Sequence, residues 1–245
     1  MKIKDIPKFV INLKRRPDRL ESIKRELEYI GWDYELVYGI DTNSYMGCTL
    51  SHLKVLKLAK ERNFDKVMII EDDCFFMPYA KSLINKLDSE LERLDYSILN
   101  LSPTLNRHIN KSNKSEFLLD MTNLPEKQRP EFREIYAANM VVYDKNVINE
   151  IFNIKNTSHQ NGDYFYAYDD YLFHFIIQKY QSYCPILPIC CQGNDWSDIS
   201  QGMYNNFYTQ TYNWNSYSPI KIPNEYMDFN TNKEKKEKKI YETIC

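Results

Sequence analysis

Segments of two different periodicities alternate through the first 76 residues, and that alternation constrains the fold more than any other feature of the chain. Residues 9–13 are a short apolar run. Pro17 then suits a first helical turn, and Leu20, Ile23, Leu27 and Ile30 recur at helical spacing. Gly31 stands where a helix should stop, and YELVYGI resumes as a strand. TLSHLKVLKLAKERNF returns to helical spacing, with an inner stripe of Leu53, Leu56 and Ala59 or Lys60, before the apolar run 67–70. Strands alternating with helices predict an α/β fold: a Rossmann-like, mostly parallel central sheet with right-handed crossovers, flanked by helices.

The second half reads less regularly. DYSILNLSP gives a strand ending near Ser102, and residues 104–133 are polar and poorly periodic, hence a long binding loop or lid. EIYAANMVVYD is a strand and KNVINEIF a short helix. YDDYLFHFIIQKY is a strongly apolar helix opened by Asp169 and Asp170. SYCPILPICCQ is a strand broken by prolines, expected at an edge or irregular. Residues 202–218 are rich in Tyr, Asn and Trp, a composition that fits either sugar stacking or a crowded surface. NKEKKEKK alternates charge as a solvated helix or frayed end does. The expected organisation is one catalytic domain over residues 1–220 and a charged tail over 221–245.

Composition excludes several classes. The 245 residues carry a formal net charge of -2, so no global basic field recruits nucleic acid or an anionic membrane. No apolar run approaches the roughly 20 residues that span a bilayer, and the first 20 residues lack a secretory apolar core. The six cysteines (Cys48, Cys74, Cys184, Cys190, Cys191, Cys245) show no CxxC pair and no zinc spacing. Adjacent Cys190 and Cys191 would point opposite ways on a strand and should not pair. These features predict a reduced, cytoplasmic protein, or one in the cytoplasm of a host cell if viral.

Chemistry concentrates in VMIIEDDCFF. Its apolar run ends in Glu71, Asp72 and Asp73, and crowding three carboxylates costs Coulomb energy unless something positive sits beside them. Ligands of an open parallel sheet bind outside the carboxyl ends of its strands. In extended backbone Glu71 and Asp73 would share one face and Asp72 the other. A hard divalent cation, magnesium or manganese, would offset the crowding; an acidic cap of the following turn is the plainer alternative. NLKRRPDR follows the first strand and puts Lys14, Arg15, Arg16 and Arg19 near the same rim, where guanidinium forks suit phosphate. A solvated basic loop is the alternative there. Together the two clusters suit a metal–diphosphate ligand.

These residues resemble glycosyltransferase family 25. The resemblance rests on FVINLKRRPDRLESIKRELE, on GCTLSHLKVLKLAKERNFDKVMIIEDDCFF, and on the later YDDYLF and SDIS, and covers roughly residues 8–200. It implies a GT-A fold, a nucleotide-sugar donor of the uridine diphosphate type, a glycan or protein acceptor, and inversion at the anomeric carbon. Manganese or magnesium is the implied cofactor, with Asp73 as its best ligand and Glu71 and Asp198 completing the shell. Asn12, Lys14, Arg15, Arg16 and Arg19 fall in the implied donor site, as do Gly47, Ser51, His52, Glu71 and Asp72. Cys48 would pack rather than react. An inverting transferase needs a carboxylate base for the acceptor hydroxyl. Asp169 is the first candidate and Asp170 the second, although either also suits a helix N-cap.

The resemblance places the chain among lipopolysaccharide and other glycan-building enzymes. A sugar-nucleotide hydrolase or nucleotidyltransferase would use the same grip, and a carbohydrate-binding protein could use the same fold. Whether the chain forms homo-oligomers is open from the sequence.

Overall fold

A computed structural model describes residues 1–42, 44–105, 108–122, 135–152, 167–197 and 202–227. Strand β1 (Lys8–Asn12) is buried along its whole length. Helix α1 (Pro17–Ile30) starts on Pro17, whose missing N–H costs a first turn nothing. It ends at Gly31, whose φ of 79° is a left-handed cap closed by its N–H on the Leu27 and Glu28 carbonyls. Ile23 and Leu27 supply its buried face. Strand β2 (Glu35–Tyr38), helix α2 (Tyr45–Glu61) and strand β3 (Lys66–Glu71) complete the expected alternation. In α2 the buried face holds Leu53, Val55, Leu56 and Ala59, with Lys60 exposed.

Next come β4 (Cys74–Phe76), α3 (Ala80–Leu91), β5 (Ile98–Asn100), β6 (Thr104–Leu105), β7 (Asn110–Lys111) and β8 (Leu118–Asp120). They are followed by β9 (Ile135–Tyr136), β10 (Met140–Asp144), α4 (Lys145–Ile151) and α5 (Tyr168–Tyr171). The chain then forms β11 (Ser182–Pro185), β12 (Cys190–Gln192), β13 (Asp195–Ser197), β14 (Gly202–Tyr204) and α6 (Asn206–Tyr217).

The main sheet has the order β2-β1-β3-β10-β5-β11-β8-β7. β1 pairs parallel with β2 and β3, and β5 pairs parallel with β11. β10 enters the centre antiparallel to both β3 and β5, and β8 is antiparallel to both β11 and β7. Six of the eight strands therefore run one way. β3 reads as a continuous apolar run because both faces are covered.

Several expectations for the second half are corrected. The long loop expected at 104–133 contains β6, β7 and β8 among its described residues, and β8 joins the main sheet. β11 lies inside the sheet between β5 and β8; Pro185 is tolerated because it is the last residue of the strand. The apolar helix after Tyr168 is one α-turn, then a π-segment Leu172–Ile176 and a 3-10 turn Ile177–Lys179. Residues 206–217, which composition left undecided, form α6, burying Phe207, Gln210, Thr211 and Trp214 at helical spacing.

β4 and β12 form a separate antiparallel ribbon at the carboxyl end of β3, pairing Phe75 with Cys191 and Cys74 with Gln192. α6 packs on this ribbon, with Phe207 edge-on to Phe75. Beyond α6, Ile222 and Tyr226 fold back into the core, Tyr226 against Tyr79. The five described cysteines are all free. Among the described residues no helix is long and apolar enough to cross a membrane.

Candidate functional site

The carboxyl ends of β1 and β3 open into one cleft. Its walls take Asn12 from the end of β1, Arg15 from the loop after it and Arg19 from α1, Gly47, Cys48, Ser51 and His52 from α2, and Glu71, Asp72 and Asp73 from the end of β3 and the turn beyond it. Ile40–Thr42, Ser44, Gln192 and Asn206 close the rest.

β3 ends at Glu71 and the chain turns at Asp72 and Asp73, so the strand alternation expected through all three carboxylates stops after the first. Each then meets its own set of partners, with Arg19 shared by Asp72 and Asp73. Glu71 Oε1 lies 2.8 Å from His52 Nε2 and 3.7 Å from the Cys48 thiol. Asp72 accepts from Asn12 Nδ2 at 2.7 Å and from Arg19 at 3.2 Å. Asp73 accepts from Gln192 Nε2 at 3.1 Å, with Arg19 at 3.6 Å, and its Oδ1 is buried without a hydrogen-bond partner.

Burial drives the titration of this group. It pushes Asp73 up to about 7, with the Glu71 charge adding and Arg19 opposing. Burial likewise raises Asp72, against the pull of Arg19 and Asn12. For Glu71 burial also acts upward, but His52 and Arg19 outweigh it and hold the carboxyl below its ordinary value. One carboxylate thus keeps its charge while its two neighbours lack enough positive charge. Arg19 alone cannot neutralise the turn. The partnerless Asp73 oxygen and the raised pKa of Asp72 and Asp73 fit a hard divalent cation.

The basic loop divides. Arg19 reaches the carboxylates, while Arg15 pairs with Asp41 across the cleft mouth at 2.5 Å. Arg16 pairs with Asp18 at 2.7 Å, and Lys14 lies over the Tyr38 ring at 5.2 Å; neither is part of the cleft wall.

On α2, Gly47 lets the helix touch the 40–42 segment: a Cβ there would lie 2.6 Å from the Ile40 carbonyl oxygen. Ser51 fixes the same contact, donating to Gly47 O at 2.6 Å and accepting from the Ile40 N–H at 2.8 Å. His52 is buried and stacks on Tyr168, ring centroids 4.1 Å apart.

Tyr168 opens α5, so this stack carries the YDDY segment to the cleft. The N-cap is Ala167, with no side-chain capping bond; Asp169 and Asp170 lie inside the first turn rather than at the cap. Asp169 is half-buried and close enough to Cys48 that its charge, after burial and Glu71, helps to push that thiol well up. The side chain of Asp170 and the whole of Asp198 lie outside the described residues.

Sequence reasoning did not single out Tyr168, Asp41, Gln192 or Asn206. Tyr168 adjoins a named acid and could have been weighed with it; Gln192 has no local signal at all.

Part of the chain is similar to known proteins. Residues 42–153 match the family model described as glycosyltransferase family 25 (LPS biosynthesis protein). The similarity to that family covers less than half of the chain. Procollagen galactosyltransferase 1-A of Xenopus laevis is 33% identical over 124 residues, 38% of this chain and 20% of the relative. The putative glycosyltransferase R655 of Acanthamoeba polyphaga mimivirus is 29% identical over 115 residues, 37% of this chain and 36% of the relative. The chain spans about a fifth of the length of the animal relatives it matches. A solved glycosyltransferase involved in glycosylation of the major capsid of PBCV-1 aligns over 70% of this chain and 75% of its own, at TM-score 0.41 and 9% identity. The matched stretch contains Glu71, Asp72, Asp73, Gly47, Ser51 and His52; Asn12, Arg19, Asp169 and Gln192 lie outside it.

Proposed function

We propose that this chain is an inverting glycosyltransferase that moves a sugar from a nucleotide diphosphate donor, of the uridine type, to a hydroxyl of a glycan or protein. The observation that carries the reading is Asp73, a buried carboxylate with a partnerless oxygen, beside Asp72 and Glu71 and under a single arginine. Asp73, with Asp72 and Glu71 near it, would hold a manganese or magnesium ion. When bound, such an ion supplies positive charge to the leaving diphosphate.

The chain's own residues do the rest. Arg19 stands beside the carboxylates, where a guanidinium fork can take the remaining phosphate charge. Asn12 and Arg19 hold Asp72 from two sides and so fix the turn before any ligand arrives. Asp169, half-buried near Cys48, is the base that takes the proton from the attacking acceptor hydroxyl. Attack from the side opposite the diphosphate inverts the anomeric carbon.

A panel of nucleotide sugars with manganese, read by nucleotide diphosphate release with and without acceptors, tests the activity. Calorimetry of the same donors with Asp73→Asn tests the site. Loss of cation-dependent donor binding in the variant is expected. Unchanged binding would remove Asp73 from the site, and release indifferent to every acceptor would point to a hydrolase.

A further inference from the structure

We propose that Cys48, His52 and Glu71 form a second metal site, for zinc or a similar borderline-soft divalent ion, beside the Asp72–Asp73 turn. The Cys48 sulfur, a His52 ring nitrogen and a Glu71 oxygen all lie within 4.8 Å of one another. Cys48 and His52 stand four residues apart on α2 and so share a helix face, while Glu71 ends the strand that faces them.

The spacing suits the ion. Metal–ligand lengths of about 2.0–2.3 Å in a tetrahedron put neighbouring ligand atoms about 3.3–3.6 Å apart. The Glu71 oxygen is 3.7 Å from the sulfur, already near that value, and 2.8 Å from His52 Nε2. Opening the Glu71–His52 hydrogen bond by about half an ångström brings that pair to the same spacing, and the sulfur and a ring nitrogen, within 4.8 Å of each other, approach the ion from one helix face. All three residues line the cleft, so a fourth position stays open to water. Three protein ligands plus water is the open arrangement zinc adopts in sites that exchange ligands.

Ligand chemistry separates this site from the carboxylate turn. Thiolate and imidazole select zinc over magnesium and manganese, which prefer oxygen. The Cys48 thiol proton is released to solvent as the metal–sulfur bond forms; His52 binds through the Nε2 lone pair, with its ring proton on Nδ1. Among the described residues Nδ1 has no hydrogen-bond partner, and the ring is held by its stack on Tyr168. Metal-ligating histidines usually donate that second N–H, and losing the partner costs about 10–100-fold in affinity. Zinc is thus held reversibly.

The three residues line the same cleft that the transferase reading gives to the donor, so zinc would compete with donor, a consequence that rests on that reading; the binding itself does not.

The test uses cobalt(II) chloride as the probe on the reduced full chain, without donor. A near-ultraviolet thiolate-to-cobalt charge-transfer band should grow to one equivalent and collapse on adding zinc chloride. Cys48→Ser should abolish the band, and His52→Gln should weaken cobalt binding about tenfold or more. Asp73→Asn should leave the band intact, because the hard carboxylate turn contributes no thiolate. Melting curves confirm that each variant is folded. No band in the wild-type chain, or a band that survives Cys48→Ser, overturns the proposal whatever the transferase assay shows.

Discussion

Gly47→Ala adds one methyl group at the point where α2 meets the 40–42 segment. The new Cβ would lie 2.6 Å from the Ile40 carbonyl oxygen and 2.7 Å from Thr42 Oγ1. Thr42 can rotate aside; the Ile40 carbonyl is backbone and cannot. The segment must move away, which strains the Ser51 hydroxyl bridge between the Ile40 N–H and Gly47 O. Overpacking of this kind costs about 1–3 kcal/mol, and a lost hydrogen bond about 1 kcal/mol more. Against that, alanine is favoured over glycine by at most about 1 kcal/mol in a helix interior, and less in a first turn. The clash wins. The expected net loss is about 2 kcal/mol, a fall in Tm of about 4–8 °C for a chain of this size. Ile40, Asp41 and Thr42 also line the cleft, so donor affinity should fall with stability. Thermal melting by circular dichroism, with donor calorimetry beside it, measures both. An unchanged or raised Tm would refute the close-contact argument, since propensity alone predicts that direction.

Asp169→Asn should lower turnover about 10²–10⁴-fold, the usual share of a general base, with donor affinity nearly constant; single-turnover assays separate the two, with Asp170→Asn as the matched control. Arg19→Ala should weaken donor binding by roughly 1.5–3 kcal/mol, whereas Arg16→Ala, whose partner is Asp18, should change it little; equal effects in calorimetry would refute this division of the loop. Asp73 is raised from 3.8 to about 7, so the folded state holds its proton more tightly than the unfolded chain does. Its contribution to metal-free stability is therefore full below the unfolded value and is lost as pH rises from about 4 to about 7. Melting in chelator across that range should fall less steeply in Asp73→Asn than in the wild type, and identical slopes would contradict the raised pKa.

What could be read in the sequence depended on how local the physics is. α1 was legible to the residue because its signals, the fixed φ of Pro17 and the left-handed Gly31, belong to single residues. The carboxylate run was visible for the same reason, since three adjacent charges need a local remedy. Its geometry was not. The prediction that Glu71 and Asp73 share a face assumed strand beyond Glu71, where the chain turns because β4 must swing out to meet β12. α6 was hidden because asparagine and tyrosine favour helix weakly; burial of Phe207 and Trp214 on distant strands decides it. The basic loop showed its charges but not their partners, so Arg19 could not be told from Arg16. Gln192 could not have been found, because its meaning comes entirely from Asp73, 119 positions away.

The β4–β12 ribbon also sets when the site can exist. A chain synthesised at about 5–20 residues per second presents Asp73 about 6–24 s before Gln192 follows it. Through that interval the carboxylate stays hydrated, with ordinary acidity and no wall on its far side. The ribbon, and α6 that clamps it, close one of the longest loops in the molecule, and long closures come late in folding. A chain halted before residue 192 can raise the inner strands of the sheet yet leaves Asp73 without its Gln192 partner. The 42–153 stretch, excised alone, would lack β1, Arg19 and the ribbon's second strand. The burial of Asp73 thus reports synthesis past residue 192, since only a chain that includes the second ribbon strand supplies its Gln192 partner.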